Sequence, residues 1–177
     1  MYPIFGKVMA EWSTTTTTPL PPFVFHVHGH GGTDLHVIAT DFHSNTFQAI
    51  KTRQKLEDLR DDIGIVGSWS EFVDYITTSL KSGDVKLIME GLSESGGASC
   101  AKLLAQKAKG MPRISLSLGK LVDVAAREAM ANLSLELYKE LKEVQSSLTK
   151  EQESTYQLTK VVVAEQVFPL TAGVIFD

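Results

Sequence analysis

LVDVAAREAMANLSLELYKELKEVQSSLTKEQESTYQLTK, residues 121–160, contains neither glycine nor proline. Within it Leu137, Leu141, Val144 and Leu148 step by 4, 3 and 4 residues. That is the a/d spacing of a coiled-coil seam, where apolar side chains recur on one stripe and face a partner helix. Counting backward puts Met130 and Ser134 in register; counting forward puts Glu151, Thr155, Leu158 and Val162 there. The stripe is apolar in the middle and interrupted by polar residues towards both ends. A helix of about 40 residues extends roughly 60 Å, too far for one small domain to cover its apolar side. A second copy supplies the missing face most simply. The reading is a parallel homodimer with Met130, Leu137, Leu141, Val144 and Leu148 at the dimerisation seam. The alanines at its start, Ala125, Ala126 and Ala129, suit packing against the preceding domain instead.

Upstream the apolar period is two, not three and a half. In FVFHVHG, Phe23, Phe25 and Val27 share one face and Val24, His26 and His28 the other, as side chains alternate along a strand. A glycine-rich turn leads to TDLHVIATD with Leu35, Val37 and Ala39 on one side, which reads as a hairpin. NTFQAIKT is expected to be a third strand. Two helices follow. QKLEDLRDDIG carries Leu56, Leu59 and Ile63 before a stop at Gly64, and SWSEFVDYITTSLKSG opens on a Ser68/Glu71 capping box. Strands return in DVKLIMEG, CAKLLAQ and PRISLSLGK. The fold class is α+β: an antiparallel β-sandwich or half-barrel head with an inserted helix–turn–helix, followed by a long coiled-coil helix. The expected organisation is a flexible N-terminal tail and linker (1–22, ending in five threonines and PLPP, with the short apolar stretch before them open to being a tail or an added strand), the head (23–120), the coiled coil (121–162) and a partner-binding tail (163–177).

The chain has 177 residues, a net charge of −4 and one cysteine, Cys100. A disulfide framework and a cysteine-rich zinc site are excluded, and acidic balance argues against coating nucleic acid by bulk charge. Its apolar runs fall short of the roughly 20 residues a helix needs to cross a bilayer. No membrane partner and no cofactor are expected.

All five histidines lie between His26 and His43. His26 and His28 share a strand face with His30 or His36 nearby, but that face lies opposite the apolar one and is expected to meet water, so the metal expectation is none. A catalytic centre is likewise not expected. GLSESG misses the G-x-S-x-G elbow, with Ser95 where the second glycine belongs. Lys102, Lys107, Lys109 and Arg113, followed by Lys120, form a stretch without acids and are candidate DNA-phosphate contacts. Their plainer role is charge that guards strand edges. Phe168, Val174, Ile175 and Phe176 make an apolar tail of the kind that docks on its own domain or on another protein.

LHVIATD, then LEDLRDDIGI leading to SWSEFVDYI, then VKLIMEG and RISLSLGKL passing into the long helix, together resemble the DNA end-joining scaffold family that includes XLF and PAXX, its plant-type PAXX members most of all. The resemblance spans about residues 23–150 and is topological more than chemical. It implies a non-catalytic homodimer in the nucleus, acting in double-strand break repair. Its implied partners are the Ku heterodimer, other ligation factors and, through Ku, DNA ends. Phe168, Val174, Phe176 and Asp177 match the spacing of the family's Ku-binding tail, so Phe168, Val174 and Phe176 are the implied Ku anchors. The lysines usual between the first Phe and the Val are replaced by PLTAG, and the linker before the tail is short. The alternative is a coiled-coil structural protein with the same type of head, of the centriolar cartwheel type, in which heads self-associate. A His-dependent metalloenzyme is the third class.

Overall fold

The computed structural model describes residues 3–13, 20–31, 34–91 and 97–167, the side chains of His30 and of residues 164–167 excepted. The five-threonine stretch, most of GLSESG and the tail with Phe168, Val174 and Phe176 lie outside the described residues.

Four strands come first: β1 (Ile4–Trp12), β2 (Pro22–His30), β3 (Asp34–Thr40) and β4 (Thr46–Lys51). Two helices, α1 (Arg53–Asp62) and α2 (Trp69–Lys81), precede β5 (Val85–Glu90), β6 (Cys100–Gln106) and β7 (Arg113–Leu121). Helix α3 runs from Asp123 to Val167. The strands close a barrel in the order β1-β2-β3-β4-β7-β6-β5. Each sequential pair is antiparallel, and β1 returns to β5 by a parallel pairing of Ala10, Glu11 and Trp12 with Leu87, Ile88 and Met89.

The α+β head with its inserted helical pair and long following helix is as expected, and β1 supplies the stave that closes its barrel. One expectation is corrected. Residues 1–22 are not a linker throughout, since Ile4–Trp12 is a full strand. Its alternation buries Ile4, Val8 and Ala10, an apolar face that reads weakly because Gly6 interrupts it.

Inside the barrel the period-two faces meet as read. Phe23, Phe25, Val27, Val37, Phe47, Leu87, Met89, Leu103, Ile114, Leu116 and Leu118 are all buried. Leu56 of α1 and Phe72, Ile76 and Leu80 of α2 join the same core, so the helical pair plugs the barrel rather than standing apart. Helix α2 starts at a complete capping box: Ser68 Oγ accepts from the Glu71 amide, and the Glu71 carboxylate accepts from the Ser68 amide. Helix α1 ends at Gly64, whose φ of +70° is left-handed backbone that glycine tolerates best. Tyr75 Oη donates to the Pro112 carbonyl at 2.6 Å, tying α2 to the β6–β7 connection.

A second, smaller apolar cluster sits on the outer surface of the barrel. Ile38 meets Ala129 and Leu133 of α3, with Val24 and Leu121 against them. The first turns of α3 therefore belong to the head, and the compact head unit extends to Ser134; Leu135 onward forms a second unit. Of the three alanines expected to dock, Ala129 is buried, Ala126 is half-buried and Ala125 is exposed.

Candidate functional site

Among the described residues, a run of exposed apolar side chains lies along α3 after Ser134. Leu137 is 41% exposed, Leu141 53%, Val144 61% and Leu148 53%, and Leu158 and Val162 continue the register in the same state. Met130, the first expected seam residue, lies in the head unit and is half-buried. Covering a leucine or valine fully is worth about 1.5–3 kcal/mol, so four such residues on one stripe strongly favour a second helix. The polar register positions are consistent with a helix rather than with a core: Ser134 Oγ donates to the Met130 carbonyl and Thr155 Oγ1 to the Glu151 carbonyl. Such back-bonding satisfies the hydroxyl within its own helix. Leu133 is what the sequence reading missed: it is 1% exposed and carries the docking of α3 on Ile38. It lies off the 4-3-4 stripe, and an isolated leucine beside a regular stripe gives no signal of its own.

The histidine face departs from expectation. His26 is 3% exposed, not solvent-facing. The cause is β1, which lays Phe5 directly opposite His26; their rings stack at 4.2 Å and 2°. His28 stacks on the other side of His26 at 4.6 Å, and His36, the register partner of His28, lies 4.9 Å from it at 63°. Gln48 hydrogen-bonds His36 through their Nε2 atoms. Burial first, and the neighbouring His28 and His36 next, lower the pKa of His26 to about 4, so its ring is neutral at physiological pH. His26 Nε2 is buried with no hydrogen-bond partner among the described residues. His43 is exposed in the β3–β4 turn, whose backbone is held by the Asp41 carboxylate. Among the described residues no group of three or more ligating side chains is placed to hold a metal ion.

The basic stretch does not form one patch. Lys102 Nζ is paired with Glu90 Oε1 at 2.9 Å, an acid that β5 brings alongside β6. Lys107 lies over the Tyr75 ring at 5.9 Å, Lys109 is exposed in the β6–β7 turn, and Arg113 reaches Gln106 Oε1. An acid-free run in sequence thus acquires an acid in space.

No family model matches the chain, and no curated protein matches it. Solved structures do. An N-terminal fragment of Leishmania SAS-6 that contains part of its coiled coil domain is 14% identical over 94% of this chain and 100% of that one, with a TM-score of 0.53. An F257E mutant of the corresponding Leishmania fragment gives 15% identity, 93% and 97% coverage and a TM-score of 0.52. The N-terminal coiled-coil dimer of C. elegans SAS-6 gives 11%, 80%, 90% and 0.50. The fold is that of a SAS-6 head followed by its coiled-coil helix.

This overturns the end-joining resemblance. The similar structures named above are SAS-6 fragments, not XLF or PAXX. The features that carried the resemblance, a β head with an inserted helical pair running into a long helix, are properties of a shared architecture and do not separate one family from another. The Ku partner, the ligation factors, the nuclear location and the role in break repair fall with it.

Proposed function

We propose that this chain is a non-catalytic structural assembly protein of the centriolar type, working as a homodimer whose α3 helices pair in parallel and whose heads make further self-contacts. The observation that carries the reading is the exposed stripe Leu137, Leu141, Val144 and Leu148 on a helix that follows a SAS-6-type barrel. The C. elegans protein of similar fold is itself a coiled-coil dimer, which supports the pairing. In such a protein the useful output is geometry. Each dimer presents two heads, and weak head contacts gain strength from being held in pairs.

Solution mass tests the pairing. The full chain is expected to sediment as a dimer at micromolar concentration, and Leu141→Asp combined with Leu148→Asp to sediment as a monomer with an unchanged strand signal in circular dichroism. A wild-type protein that stays a compact single copy would refute the reading. Concentrating the double variant then separates an assembling head from a passive one: higher species should reappear if heads self-associate. In cells with centrioles, the tagged protein is expected to mark them.

A further inference from the structure

The stacked rings on the outer barrel face take no part in the assembly reading and stand independently of it. Phe5, His26, His28 and His36 form one column that crosses from β1 to β3. Phe5 lies on His26 at 4.2 Å and 2°, His28 follows at 4.6 Å, and His36 is 4.9 Å beyond. His26, between Phe5 and His28, is 3% exposed. Its Nε2 is buried with no hydrogen-bond partner among the described residues. A proton added to this ring would create a buried cation whose Nε2–H finds no acceptor there, and such a group is expensive to keep out of water.

The packing around His26 does not offset that charge. β1 presents Phe5, with Lys7 next on the same face. β2 presents Val24 and His28 on the face of His26. β3 presents Ile38, the cross-strand partner of His26, then His36 and Asp34 along the same face. β4 presents Gln48, which hydrogen-bonds His36. The first turns of α3 bring Ala129 and Leu133 to Ile38, with Arg127 and Glu128 exposed. Among these groups the charges that act on His26 are His28 and His36, and both oppose a proton on it.

We propose that this column is an acid-released latch on β1: protonating the imidazoles drives His26 out from under Phe5, and β1 leaves β2 while the other strands stay paired. Phe5 is the cover of His26, so departure of β1 is what lets water reach the ring. β1 is also the stave whose loss breaks least. Without it β2, β3, β4, β7, β6 and β5 remain one continuous sheet, and on the β5 side only Ala10, Glu11 and Trp12 let go. The open form bares the edges of β2 and β5, rows of unpaired amides and carbonyls to which another strand can add. In the closed head the His26 pKa is lowered from 6.5 to about 4, first by burial. A lowered closed-state value means that the closed form keeps its full advantage above 6.5 and loses it as pH falls from there towards 4.

Hydrogen–deuterium exchange on the full chain at pH 7 and pH 5, expressed as protection relative to the intrinsic rate at each pH, tests this. Amides of β1 are expected to lose protection by about 20-fold between the two, the change that restoring His26 to its ordinary value gives. Those of β6 and β7 should hold. His26→Phe keeps a ring against Phe5 but cannot take a proton, so it should flatten the β1 response; His26→Leu serves the same end if the phenylalanine variant does not fold. His43→Ala, remote in the β3–β4 turn, should respond as wild type does. Unchanged β1 protection in the wild-type chain, equal loss in β1, β6 and β7, or a wild-type response in a folded His26 variant overturns the proposal. The seam variant Leu141→Asp with Leu148→Asp should show the same latch, so this reading and the dimer fail separately.

Discussion

Gly6 of β1 lies directly opposite Phe25 of β2, and the Phe25 ring occupies the space that a β-carbon on Gly6 would take. One missing side chain thus lets a large ring lie across the barrel interior, where Phe25 is 2% exposed.

Gly6→Ala is expected to destabilise the head by about 1–3 kcal/mol, the usual cost of overpacking a filled core. Chemical denaturation measures it. Adding Phe25→Leu should recover part of the loss by making room, so the double variant should lie above the sum of the two single changes. Simple additivity would mean that the two side chains do not compete for the same space.

Leu133→Ala is expected to cost about 2–5 kcal/mol in head stability, the range for truncating a buried leucine, because Leu133 is 1% exposed against Ile38. Dimerisation should survive, since Leu137, Leu141, Val144 and Leu148 are untouched. Melting and sedimentation on the same sample read the two effects. Equal damage to both would place Leu133 in the seam rather than on the head.

Ser68→Ala should cost about 1 kcal/mol at neutral pH through loss of the α2 cap. It should also change the acid limb of the stability curve. The Ser68 backbone and side-chain hydrogen bonds hold the Glu71 carboxyl below its ordinary value of 4.5. A lowered folded value means that this contribution is complete above the unfolded value and is lost as pH falls through the folded one. Wild-type stability therefore declines as pH drops below about 4.5. The Ser68→Ala variant keeps the larger, backbone hydrogen bond to Glu71 and loses only the side-chain one, so its acid limb should be shallower but still present. Superimposable pH profiles for the two proteins would remove the Ser68 hydroxyl from the account.

The parts of the fold legible in sequence are those written in local periods. Alternation at Phe23, Phe25 and Val27, the Ser68/Glu71 box and the stop at Gly64 all describe interactions among near neighbours, and all appear in the structure. What the sequence hid was long-range. The pairing of Ala10 with Leu87 has no local signature, so the sequence leaves β1 undecided between a tail and an added strand. Without β1, nothing announces that Phe5 covers His26, and the histidine face reads as wet. Glu90 escapes notice as the partner of Lys102 for the same reason. The exposed stripe of α3 was readable because a coiled coil is itself a periodic object, whereas the family was misread because architecture was taken for identity.

The parallel pairing of β1 with β5 also fixes when the head can be finished. During synthesis β1 meets β2 early, but Ala10, Glu11 and Trp12 wait for Leu87, Ile88 and Met89 to emerge. Until then the nascent ring stays open, and a contact between residues so distant along the chain is slow to form. The long helix leaves the ribosome after every stave of the barrel has been made. In the proposed dimer, each head therefore has the chance to shut before its chain acquires the means to find a twin.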